Sequence, residues 1–224
     1  ATASALLALG WFAAAGAASL PARVHYDVLD GDKLVGHLDI TLETSGEGAE
    51  QSLVAKQHGE ITVRRMLIKA TIRQTIEEHW QNGRLLSLTA DTSSELPVGS
   101  TRKSLSVTRD PSGALRATSD GKTHDLPADT LPLTLWSGRT LVAGPHFGLA
   151  EAELIEIEKG ETAADDEPPV RYQGEECRRR DFEAVNDAKK KSVVAAWIGS
   201  DDIVCKLRMS AGSDVFTYVR QSPP

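Results

Sequence analysis

The stretch RVHYDVLDGDKLVGHLDITL, residues 23–42, decides how the rest of the chain is read. Val24, Tyr26 and Val28, then Leu34, Leu38, Ile40 and Leu42, recur on one parity on either side of Asp30-Gly31-Asp32. Successive side chains of a strand point to opposite faces, so a period of two marks a half-buried strand and not the 3.6-residue repeat of a helix. The Asp-Gly-Asp centre is turn chemistry, and the whole reads as a β-hairpin with one apolar face. For both apolar rows to face the same side, paired positions must share parity. The shortest such loop sets Tyr26 opposite Gly36 and Val24 opposite Leu38. It also sets His25 opposite His37 and Arg23 opposite Asp39 on the outer face.

The alternation continues beyond a Gly/Glu-rich turn at 44–50, with strand-like runs at 51–57 and 60–76. The second run carries Met66, Ile68, Ala70 and Ile72 at alternate positions. In Trp80-Gln81-Asn82-Gly83-Arg84-Leu85 the Asn-Gly pair supplies the positive φ that both centres of a type I′ hairpin turn require. Shorter strands are predicted at 85–91, 102–109 and 114–119, and four more at 176–185, 192–198, 202–209 and 214–220. Residues 126–149 (LPADTLPLTLWSGRTLVAGPHFGL) break the pattern with three prolines and read as an irregular insertion with one short helical turn. An apolar loop must bury somewhere. It plugs an open end of the sheet or walls a pocket, with Trp136, Leu133 and Leu135 as candidate ligand contacts. Residues 159–169 (KGETAADDEPP) are a polar excursion, not a domain linker. The predicted fold is all-β: one antiparallel meander over residues 23–224, forming a curved sheet or partly open barrel.

Residues 1–22 contain no charged side chain, and Ala5 to Ala18 is apolar, with small residues towards its end. This is the pattern of an export signal with a cleavage site at Ala15-Gly16-Ala17, although the basic start of such a signal is missing. Retained as a helix, the segment is roughly 33 Å long, enough to cross a bilayer. Gly10, Ala14 and Ala18 fall on one face of that helix at the spacing that lets membrane helices approach closely. The two readings, cleaved signal and retained anchor, both place the β-domain outside the cytoplasm, in a bacterial periplasm, either soluble or held to the inner membrane. Cleavage is the preferred one, with a mature start near Ala18.

A net charge of -7 and a pI near 5.4 argue against a nucleic-acid partner, which needs clustered Lys and Arg on its binding face. The basic runs Arg178-Arg179-Arg180 and Lys189-Lys190-Lys191 lie close to acidic residues and read as solvated faces or turns, with a contact for an anionic lipid headgroup or partner as the alternative. Cys177 and Cys205 are enough for one disulfide in an oxidising compartment, but the predicted hairpins put them on strands separated by a third, which weighs against a bond. The six histidines show no motif spacing, and no nucleophile elbow, zinc-protease, phosphate-loop or dinucleotide signature occurs. No catalytic residue and no cofactor is assigned. His25 and His37 could start a metal site but lack a third ligand. On a strand, Glu77 and His79 share a face and Glu78 points away from both, so only the first two could act together. The acidic turns Asp201-Asp202 and Asp165-Asp166-Glu167 read as solvated, not as calcium sites.

The Tyr26, Asp30-Gly31, Gly36 hairpin, Trp80 with Asn82-Gly83, the Leu131 to Trp136 segment, and Trp197 followed by Asp201 and Ile203-Val204 occur in an order that resembles exported bacterial β-proteins classed as domains of unknown function. The likeness covers Arg23 to Arg220. It implies a lipoprotein-carrier-like antiparallel half-barrel enclosing an apolar groove, hence a lipid or lipoprotein ligand, and no catalytic residue. Gly199 and Ser200 replace an aromatic-Asp step usual in the last hairpin, and the strand at Cys177 to Asp181 is unusually charged. The leading expectation is a non-enzymatic carrier of something apolar. A membrane-anchored accessory subunit, joined to a larger complex through residues 1–22, is the alternative, and an unrecognised hydrolase stands third.

Overall fold

The computed structural model describes residues 20–46, 50–65, 68–160, 168–186, 191–211 and 214–222, and they form an all-β chain. The first eight strands are β1 (Arg23–Asp30), β2 (Lys33–Ser45), β3 (Ser52–Arg65), β4 (Ile68–Gln81), β5 (Arg84–Leu96), β6 (Gly99–Arg109), β7 (Leu115–Ser119) and β8 (Lys122–Leu126). An insertion carries β9 (Leu131–Pro132) and β10 (Gly144–Phe147), and β11 (Leu154–Lys159) follows. A small flap, β12 (Arg171–Tyr172) with β13 (Glu175–Glu176), precedes β14 (Arg178–Asn186), β15 (Lys191–Ile198), β16 (Val204–Ala211) and β17 (Asp214–Arg220).

All but the flap belong to one 15-stranded sheet, which runs from β8 back through β1, then across β17 to β14, and ends β11-β10-β9. Its pairs are antiparallel except β9 with β10. The chain's first and last strands lie side by side, with Tyr26 opposite Arg220. The sheet curls around one apolar face without closing. Its edge strands β8 and β9 are joined by only residues 127–130, yet no ladder links them. Pro127 and Pro132 offer no N–H to such a ladder. Instead, apolar packing bridges the seam, with Leu126 and Leu115 in one cluster with Phe147 and Ala152.

The Asn82-Gly83 turn is as predicted, with φ of 51° and 72°. Other expectations need correction. The run 60–76 is not one strand: β3 is unbroken across Gly59, and β4 starts at Ile68. The hairpin has Val24 opposite Ile40 and Tyr26 opposite Leu38, so His25 faces Asp39 and not His37. The turn is Gly31-Asp32, closed by Asp30 opposite Lys33, and a bulge at Val28/Leu29 then restores shared parity two residues further on. Gly36 belongs to this geometry, because a Cβ there would lie 2.0 Å from the Glu60 carbonyl oxygen. The insertion has no helical turn; it is built of turns and the short strands β9 and β10. The expected N-terminal helix falls on residues 1–22, of which 1–19 lie outside the described residues. Among the described residues no helix is long and apolar enough to cross a membrane.

Cys177 and Cys205 are bonded, against expectation, with Cα atoms 6.6 Å apart. Cys177 precedes β14 instead of belonging to it, and its N–H donates to the Val170 carbonyl, so it arrives from the flap folded over the sheet's outer face. The bridge therefore crosses above β15 and buries Ala195 and Trp197 with it. A Cys177→Ala/Cys205→Ala variant should lose about 3–4 kcal/mol in urea unfolding, the chain-entropy value for a separation of 28 residues. A loss below about 1 kcal/mol would mean that packing of the flap, not the cross-link, holds this face.

Candidate functional site

The chemistry inside the curl centres on Glu78. On β4 the inward row is Ile76, Glu78 and Trp80, so alternation drives a carboxyl group into the core, where it is 0% exposed. Three neutral donors converge on it. Gln57 Nε2 of β3 donates to Oε1 at 2.5 Å, Trp80 Nε1 to Oε2 at 2.8 Å, and Trp136 Nε1 of the insertion to Oε1 at 3.1 Å. The Thr134 hydroxyl lies close enough to favour the charged form, but it makes no hydrogen bond of ordinary geometry. Desolvation outweighs these donors and pushes the carboxyl from 4.5 up to about 7.

Trp136 is thus a buried strut, 3% exposed, that fastens the insertion to β3 and β4. Its backbone is stitched to the other half of the sheet, since Val204 N–H donates to the Trp136 carbonyl and Gly138 N–H to that of Asp202. Two hollows flank this strut. One, of about 90 Å³, lies towards Trp80, Asn82 and Leu20 and is lined by Trp136. The other, of about 240 Å³, lies between the insertion and the inner faces of β2, β3 and β4. Leu133, Leu135 and Leu149 form one wall, Leu38, Ile61 and Ile72 the other, and Gln57, Thr134 and Tyr218 add polar atoms. Of the three candidate ligand contacts, Leu133 and Leu135 face this larger hollow, and Trp136 does not.

The outer face carries the remaining candidates. His25 and His37 are diagonal neighbours with ring centroids 6.2 Å apart. His25 Nδ1 is 2.7 Å from Asp39 Oδ1, and His37 Nε2 is 3.8 Å from Oδ2 of the same carboxylate. Among the described residues no group of three or more His, Cys, Asp or Glu side chains is placed to hold a metal. Glu77 and His79 do meet at 2.7 Å, in the open. The sequence pattern of Glu77 and His79 points to the opposite face, and the signal for Glu78 is its shared parity with Ile76 and Trp80.

These features define an open antiparallel sheet curled about an apolar interior and plugged from within by its own insertion. Residues 26–221 match the model of a family described as a domain of unknown function, DUF6134, and the chain belongs to that family. Comparison with curated proteins gives no match. Among solved structures, a beta-barrel-like protein of the domain of unknown function DUF1849 from Brucella abortus is similar in fold, with a TM-score of 0.54 at 11% identity over 89% of this chain and 95% of that one.

The raised Glu78 carboxyl makes stability depend on pH. The folded state holds the proton more tightly than the unfolded chain, so this contribution is full below 4.5 and is lost as pH rises through about 7. Between pH 5 and 8 the native protein should lose about 2–3 kcal/mol relative to Glu78→Gln, which cannot ionise. Urea unfolding of both at the two pH values measures the difference, and parallel pH profiles would refute the assignment.

Proposed function

We propose that this protein is a non-enzymatic extracytoplasmic carrier that holds an apolar, single-chain ligand inside its curled sheet. The hollow between Leu133 and Leu135 and the inner face of β3 and β4 carries the reading. Its walls are largely aliphatic, with a few polar groups among them, which is the usual make-up of a small-molecule site. At about 240 Å³ it has room for about eight water-sized groups of ~30 Å³, the scale of one short alkyl chain and not of a two-chain lipid. Gln57 and Thr134 sit where that chain would meet the Glu78 cluster, so a hydrogen-bonding terminus directed inward fits better than a bare hydrocarbon.

Ile72 stands at the outer part of this hollow and is 37% exposed, so a larger side chain there narrows the entrance without crowding the core. The native chain should bind N-phenyl-1-naphthylamine saturably and release it to decanoate. Ile72→Trp should weaken both by about tenfold or more with an unchanged melting temperature. Fluorescence titration reads the result, and equal affinities for native protein and variant would overturn the placement of the ligand.

A further inference from the structure

The two ends of the curled sheet differ in chemistry. In an antiparallel meander alternate turns share an end, so the turn at 31–32, the end of β3 at Arg65 with the start of β4 at Ile68, and the turn at 97–98 lie together, opposite Asn82-Gly83 and the entry of the chain at Arg23. Eight large apolar side chains are exposed among the described residues, and six of them belong to the first end. The most exposed sit on three separate tips: Leu34 at 60%, Ile68 at 57% and Val98 at 95%. The middle tip is also the basic one. Residues 61–76 hold Arg64, Arg65, Lys69 and Arg73 and no acidic residue, within a chain whose net charge is -7, although Arg73 is paired with Glu60 of β3 and Glu95 of β5. In sequence, Met66-Leu67-Ile68 is flanked by Arg64-Arg65 on one side and Lys69 on the other.

From this arrangement we infer that the end formed by the β1–β2, β3–β4 and β5–β6 tips docks on an anionic lipid bilayer surface, with Leu34, Ile68 and Val98 entering the headgroup region. Separate protruding apolar tips do not make the flat, contiguous face that a folded protein partner would cover, whereas a lipid interface deforms around each one. Long basic side chains beside them bury their stems while their charges meet lipid phosphates. The depth is limited to the headgroup layer, because hairpin-turn backbone needs water or polar partners. The inner hollow runs from near the Glu78 level towards this same end, along Gln57, Gly59 and Ile61 on β3 and Ile76, Gln74 and Ile72 on β4. Docking does not require that hollow to be filled, so it stands or falls apart from the carrier reading.

The test uses the full chain with an environment-sensitive dye on a single introduced cysteine, Ile68→Cys, Val98→Cys or, at the other end, Ser112→Cys; the native cysteines are bonded to each other. With phosphatidylcholine:phosphatidylglycerol vesicles, dyes at positions 68 and 98 should shift to the blue and the dye at 112 should not. With phosphatidylcholine alone the shift should weaken, and Lys69→Glu should reduce partitioning to anionic vesicles by at least about fivefold. Dyes at 68 and 98 that stay in water while the chain floats with vesicles would overturn the inference, leaving residues 1–22 as the contact. A blue shift without lipid that grows with protein concentration would equally overturn it, assigning the tips to a second copy of the chain.

Discussion

A carboxyl group that the strand period forces into the interior governs what surrounds it. Glu78 shares its row with Ile76 and Trp80 and cannot reach water without breaking the pleat of β4. Burying it unpaired would be prohibitive, and its hydrogen-bond donors are two indoles and an amide. Each donor comes from a different place: Gln57 from the neighbouring strand, Trp80 from the same strand, Trp136 from an insertion more than fifty residues away. Only the last comes from outside the β3–β4 hairpin, and it fixes where the insertion lies within the curl. Losing the Trp136 indole would leave a donor missing on a fully buried carboxyl and free the wall that Leu133 and Leu135 present. The position of the hollow is thus a consequence of satisfying Glu78.

The sequence made the sheet legible where local chemistry dictates geometry. Asn82-Gly83 could only be a tight turn, and the Val24-Tyr26-Val28 row could only face inward. Register was not legible, because a two-residue turn and a bulge each shift the pairing by one and their sum cannot be read from parity. The β3–β4 hairpin was missed for a related reason: Met66 and Leu67 are not turn formers, and Ile68, Ala70 and Ile72 carry the apolar parity of the expected strand without a break. The disulfide was misjudged because hairpin logic put Cys177 in a strand, whereas the flap lifts it over β15. For the candidate site, Leu133 and Leu135 were visible as an apolar loop that needed cover. Glu78 was visible only to a reading that asks which carboxylates fall on an inward row.

The open seam answers to the same insertion. A closed barrel has no unpaired edge, and closure is the ordinary remedy for exposed strand edges. Here the two edges are consecutive in sequence, β8 then β9, so their ladder would need only a tight connection. Instead, Pro127 and Pro132 withhold donors, Thr130 N–H turns back to the Pro127 carbonyl, and the chain passes inward to bring Thr134 and Trp136 to Glu78. The Arg109 guanidinium donates to the Ala128 carbonyl in the seam connection and to the Gly113 carbonyl in the β6–β7 turn, tying the two together. Sealing the seam with strand pairs would draw residues 127–130 into the wall and Trp136 away from its carboxyl partner. An incomplete barrel is what remains when the strand edge and the interior compete for one short stretch of chain and the buried carboxyl group prevails.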